Sequence, residues 1–241
     1  MEGFFPRTDK MLAMKTSMTM PRAPRFSAMC ACTRACAILV TGNASAQTLP
    51  LATMKLFKST TSDLAGGIYS YLDNNNNNNR LVLVNAKGEL ERISYAQQSG
   101  TWSLTVDSSV SIGYPDVVGL VPDYQGRVWF ATAQGTSGTS GAVVGYYDPT
   151  SSQTSAFTLP AGEQVANSIS SSPTGVAVAS TSALYLFQSG ASGPEQVWRE
   201  VYDRGPARKP GQLSWGTGAT PVFFGPTTGY EYLTITDNAY P

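Results

Sequence analysis

The chain has 241 residues, and 16 Lys plus Arg balance 16 Asp plus Glu, so it has no formal net charge and no basic surplus to neutralise a phosphate backbone; a nucleic-acid partner is disfavoured. Charged residues are 13% of the chain against roughly 25% in an average globular domain, while 23 Gly and 15 Pro supply many turns, a mixture that points to an all-β protein. Histidine is absent, which excludes Ser-His-Asp and Cys-His catalysis and every His-containing zinc site.

Residues 1–46 form a basic leader, with Arg7, Lys10, Lys15, Arg22, Arg25 and Arg34 against Glu2 and Asp9, leaving 10 basic and 14 acidic groups from Gln47 onward. Its positive stretch is followed by the apolar-leaning run from Phe26 to Gly42 and then by Ala44-Ser45-Ala46, small residues that suit a signal-peptidase groove. The pattern predicts a signal peptide and a secreted or periplasmic body; the alternative is a disordered basic tail. The apolar run, broken by Arg34, is short of the roughly 20 residues of a membrane span. Cys30, Cys32 and Cys36, the only cysteines, all lie in this leader. They contain no Cys-x-x-Cys pair, and a zinc site would need a fourth ligand from elsewhere. A lipoprotein would need cysteine at position 47, where Gln47 stands.

Residues 47–63 read as a linker and 64–241 as a series of short strands. The first is Gly67–Leu72, followed by Asn74 to Asn79, a polar run that reads as a solvent loop. Leu81–Val84, Glu89–Tyr95 and Thr101–Ser111 continue as antiparallel partners, the last with Trp102, Leu104, Val106 and Ser108 on one face by strict alternation. The glycines that lead apolar β-runs, Gly67, Gly126, Gly175 and Gly229, are 59, 49 and 54 residues apart, which predicts a repeating small antiparallel sheet. Two of these units read as strand, turn, strand, turn, strand.

The segment Asp123-Tyr124-Gln125-Gly126-Arg127-Val128-Trp129-Phe130-Ala131-Thr132, with Val144–Asp148 and Phe157–Pro160 after it, resembles a blade of the streptogramin-lyase-like and six-bladed gluconolactonase-like propellers of secreted bacterial proteins. The resemblance covers mainly residues 113–187. It implies a β-propeller and, through the gluconolactonase-like members, a divalent cation such as calcium held at the channel by Glu, Asn and Asp; Asn167 and Asp237 are the residues that would take such a place. The histidine associated with lyase catalysis has no counterpart here. At roughly 50 residues per unit the body holds three to four blades, so the expectation is an incomplete set and a fragment of a longer reading frame, against a compact four-bladed or non-propeller β protein.

The candidate ligand or metal residues lie in loops next to strands: Asp116 and Asp123, which bracket Val117–Pro122, Asn167, and Asp237 with Asn238. Carboxylates share acid–base work or a hard cation only if they converge; the alternative is that they cap turns and face water. Arg208 and Lys209, in a basic loop, are candidates for an anionic ligand or are solvated turn residues. Trp215–Pro221 is glycine-rich but lacks the Lys-Ser or Lys-Thr of a phosphate loop. Trp129, Trp198, Trp215, Phe130, Phe223 and Phe224 read as seam-filling aromatics, with a sugar platform as the alternative. The functional expectation is an exported propeller domain that binds a small molecule, glycan or protein; the alternative is a metal-assisted hydrolase or lactonase, or a quinone-dependent oxidoreductase, using axial Asp and Asn residues. Export predicts that the secreted protein starts at Gln47 and has no cysteine, checked by intact mass and N-terminal sequencing; a secreted form retaining Cys30 would rule this cleavage out.

Overall fold

The computed structural model describes residues 69–73, 79–137, 140–208, 210, 212, 214–225, 231–236 and 239, which form fourteen strands and no helix. The leader, the linker, the cysteines, Gly67, residues 74–78, Lys209, Gly229, Asp237 and Asn238 lie outside the described residues.

The chain is all-β. The first sheet is β1 (Ser70–Asp73), β2 (Arg80–Val84), β3 (Glu89–Gln98) and β4 (Thr101–Ser111). The second is β5 (Val117–Pro122), β6 (Val128–Thr132), β7 (Val143–Asp148) and β8 (Gln153–Thr158), and the third is β9 (Ser170–Ser172), β10 (Gly175–Ala179), β11 (Ala183–Gly190) and β12 (Gly193–Val201). β13 (Val222–Phe224) pairs with β14 (Tyr232–Thr234). Within every sheet the spatial order is the chain order and all pairings are antiparallel, so each is a meander of hairpins.

Two sequence expectations shift. The first sheet has the four strands read for it, but the units led by Gly126 and Gly175, read as three strands, each have a fourth in front of the glycine, β5 and β9, the latter a run of three serines paired through its backbone with Gly175, Val176 and Ala177. The glycine ruler also mixes phases: Gly126 and Gly175 introduce second strands, whereas the run from Gly67 ends in β1, a first strand. Counted in phase, second strands start at Arg80, Val128 and Gly175, 48 and 47 residues apart, a tighter repeat than 59 and 49.

The core sits between sheets. All five residues of β6 are buried because both faces of the second sheet are covered. Val128 and Phe130 join Val82, Val84, Leu90, Leu120 and Val143 in one cluster, while Trp129 and Ala131 join Val144, Tyr146, Val176, Val178, Tyr185 and Phe187 in another. Alternation along one strand thus serves two seams, each buried large side chain contributing about 1.5–3 kcal/mol. The Phe130 ring lies across Gly145, where a Cβ would come within 2.5 Å of its Cζ, so only glycine fits there. Trp129 and Phe130 are core residues, Trp198 and Phe223 are half-buried, and Trp215 and Phe224 are exposed. Along the seams β1 lies against β5, β5 against β9 and β9 against β13.

β4 departs from strict alternation. Ile93 pairs with Val106 and Arg92 with Ser108, so Asp107 is an inserted residue and Ser108 falls on the face opposite Val106. β12 carries the same irregularity at Val197, between Gln196 opposite Phe187 and Trp198 opposite Leu186. The two-sided packing sets a clear expectation for Trp129→Ala. It empties a seam, removes the ring contact with Tyr146 at 4.9 Å and deprives Asp123 of a donor, so chemical denaturation should show a loss of about 3–5 kcal/mol.

Candidate functional site

In an antiparallel meander successive connections alternate between the two ends of the sheet. At one end the β4–β5, β6–β7, β8–β9 and β10–β11 connections are tied together by backbone hydrogen bonds, and the β12–β13 connection joins them through a tyrosine hydroxyl. Ala133 N–H donates to the Asp116 carbonyl at 2.9 Å, Val165 N–H to the Ala133 carbonyl at 3.1 Å, and Thr181 N–H to the Gln164 carbonyl at 2.7 Å. Tyr202 extends the chain of contacts: its hydroxyl donates to the Ser180 carbonyl and accepts from Thr217 N–H. The opposite end carries the β5–β6 and β9–β10 turns.

Asp123 belongs to that opposite end. Its Oδ1 accepts from the backbone N–H groups of Gln125 and Arg127, and its Oδ2 from the Arg127 guanidinium and the Trp129 indole, both at 2.8 Å. The spacing i+2, i+4, i+6 is what a tight hairpin needs, because alternate residues of β6 return to the same side as the turn carboxylate. Burial alone would raise the Asp123 pKa, but the indole, the guanidinium and the two amides hold it below the usual carboxylate range. The carboxylate is thus consumed by the turn. Asp116 and Asp123 bracket β5, which rises about 3.3 Å per residue, so the two acids sit at opposite ends of an extended strand and form no pair. A cleft of about 230 Å³ lies beside Asp123, lined also by Ser172, Thr174 and Gln188. Ser172 and Thr174 both donate to the Glu231 carboxylate, which fastens the β9–β10 turn to the residue before β14.

Asp116 is the acid that lines a cleft without being used up. Its backbone sits at φ +59°, left-handed space that a non-glycine residue visits at a cost, and its carbonyl is taken by Ala133. Its carboxylate has no hydrogen-bond or ion-pair partner among the described residues and borders a cleft of about 310 Å³ shared with Tyr114, Thr132, Gln134, Thr136 and Ser137. Tyr114 is held there by its ring contact with Phe130 at 5.3 Å, and Thr132 by accepting from Val143 N–H while donating to the Gln134 carbonyl.

Asn167 is at the same end but not in this cleft; its amide is half-buried and approaches the Thr217 carbonyl at 3.5 Å. Arg208 is exposed. Lys209, Asp237 and Asn238 are outside the described residues. Among the described residues no three His, Cys, Asp or Glu side chains converge as a metal-binding group. No described helix is long and apolar enough to cross a membrane.

The sequence reading overlooked a buried polar knot around Glu163, on the β8–β9 connection. Its carboxylate accepts from Ser180 Oγ, the Tyr185 hydroxyl at 2.7 Å and Arg199, whose Nε also donates to the Tyr185 oxygen at 2.8 Å. The partners stand 17, 22 and 36 residues away in the chain, so no local spacing announces them. Burial pushes Glu163 upward, but the serine, the tyrosine and the arginine together pull its pKa below the ordinary glutamate value. Tyr185 is pushed up to about 12, first by burial and then by the neighbouring carboxylate. With two donors on Oε2 and one on Oε1, the knot fastens a connection to the end of β10, to β11 and to β12 rather than presenting a reactive group. No protein-family model matches the chain, and no curated protein sequence matches it.

Because the folded-state pKa of Glu163 is lowered, its stabilisation is complete above the ordinary glutamate range and is lost as pH falls through the folded value. Glu163→Gln should therefore lower stability at pH 7 by about 1–3 kcal/mol and flatten the acid limb of the stability curve, read by urea denaturation between about pH 7 and pH 3.

Proposed function

We propose that the chain is an exported, noncatalytic binding domain made of propeller blades, which takes a small ligand at the end where the β4–β5 and β6–β7 connections meet. The face-to-face stacking of repeated four-stranded meanders, with first strand against first strand, supports the radial arrangement. The observation that carries the functional reading is the contrast between acids. Asp123 and Glu163 are filled by structural donors, while Asp116 keeps an open carboxylate on a cleft that also offers hydroxyls, an amide and an aromatic wall. A cleft of about 310 Å³ is at the small end of the ligand-site range. It has no lysine or arginine in its lining, which suits neutral or cationic small molecules better than anions. Nothing in such a cleft requires a chemical step, and what it supplies is acceptors in a fixed position.

The test is a thermal-shift and calorimetry screen of the whole chain against monosaccharides, amino acids and polyamines. One class should raise the melting temperature of the wild type, and Asp116→Asn should weaken its binding at least tenfold without lowering the melting temperature of the free protein. Turnover of a lactone or ester that is lost in Asn167→Ala would overturn the reading in favour of a hydrolase.

A further inference from the structure

The wall that carries Asp116 is fixed from several sides. Gly88, in the β2–β3 turn, accepts from Ile112 N–H at 2.8 Å and lies so close behind the wall that a Cβ there would come within 2.8 Å of the Tyr114 carbonyl carbon. The Tyr114 ring packs on Phe130, and the Asp116 carbonyl is held by Ala133 N–H. Glycine would occupy φ +59° without strain; aspartate at this position costs stability and sets a carboxylate on the cleft. The ion pairs among the described residues join Arg80 to Asp107, Arg92 to Asp73, Arg127 to Asp123 and Arg199 to Glu163, so they leave the charge of Asp116 unmatched. Lys87, in the turn behind the wall, is exposed and does not line the cleft. Beside Asp116, the side chains of Gln134, Thr136 and Ser137 line the cleft and make no hydrogen bond among the described residues.

The geometry points to a small organic ammonium ion as the ligand of this cleft, its N–H groups donating to the Asp116 carboxylate and to the neutral acceptors beside it, its carbon body against the Tyr114 ring. This rests on the reading of the cleft as a binding site and commits that site to one charge and one chemical class. One carboxylate matches one positive charge, and a charge-assisted hydrogen bond is about twice as strong as a neutral one. An aromatic wall adds attraction for a cation that it does not add for a neutral molecule. Calcium fits less well, because it takes about six to eight oxygen ligands, several of them charged; only one acid lines this cleft, and no three converge among the described residues. An anion would meet the carboxylate with no cation in the lining to offset it. The walls are already set before a ligand arrives, so little ordering opposes binding.

Calorimetric titrations of the whole chain compare phenethylamine with phenethyl alcohol, which has the same carbon body and no charge. The amine should bind about tenfold more tightly, and sodium chloride should weaken it progressively as screening grows. In Asp116→Asn, where asparagine tolerates the same left-handed backbone, the preference for the amine should vanish. Asp116→Gly is the second charge-free variant, and Tyr114→Leu should cost the amine about threefold in affinity. Melting temperatures of the free variants check that each is folded. Equal affinity for amine and alcohol, a preference that survives in both Asp116 variants, or displacement of the amine by calcium chloride overturns the inference. A sugar that binds and is lost in Asp116→Asn, with no binding of the amine, also overturns it but leaves the cleft a binding site. Failure of every ligand class to bind overturns both.

Discussion

The burial of both faces of the second sheet is the constraint on which the rest of the molecule depends. A sheet with one wet face needs only alternate apolar residues, but this sheet is covered twice, so β6 must be apolar in both phases and cannot tolerate a charge anywhere along Val128–Thr132. That requirement orients its neighbours as well. Val128 and Phe130 fix the first sheet through Val82 and Val84, and Trp129 fixes the third through the cluster that includes Val176 and Phe187. The connections that border the Asp116 cleft leave from this doubly held sheet, which is why their backbones meet at hydrogen-bonding distance.

Polar groups finish what apolar burial leaves loose. Face-to-face packing is non-directional and does little to set the path of a connecting loop. Asp123 answers this locally, with four donors within six residues, and Asn85 does the same between β2 and β3, its Oδ1 accepting from Lys87 and Glu89 and its amide donating to Glu89 and Glu91. Glu163 answers it over distance by gathering β11, β12 and the residue that follows β10 to one carboxylate. Such groups look like site residues when only residue type is considered. Structural donors on every one of their acceptor oxygens distinguish them from Asp116.

Much of this was legible in the sequence wherever a property is carried by neighbouring residues. The strands of the first and second sheets follow from their apolar runs and turn glycines, and the all-β class follows from composition. β9 was hidden because a serine triplet has no apolar signature and becomes a strand only when β10 offers it a ladder. The inserted Asp107 was hidden because alternation assumes an unbroken register. The separation of Asp116 from Asp123 was implicit in the strand between them, but the value of Asp116 was not: its cleft exists only because two connections, one before β5 and one after β6, come together. The Glu163 knot is invisible for the same reason.

The inserted residues in β4 and β12 have a further consequence. These are the outermost strands of their sheets, and each would otherwise offer a straight row of free amides and carbonyls able to template another chain. An extra residue near the middle of each strand bends it and breaks the hydrogen-bonding frame, while Asp107 adds a charge held by Arg80. Lateral zippering of the kind that seeds cross-β fibrils is therefore obstructed at these rims.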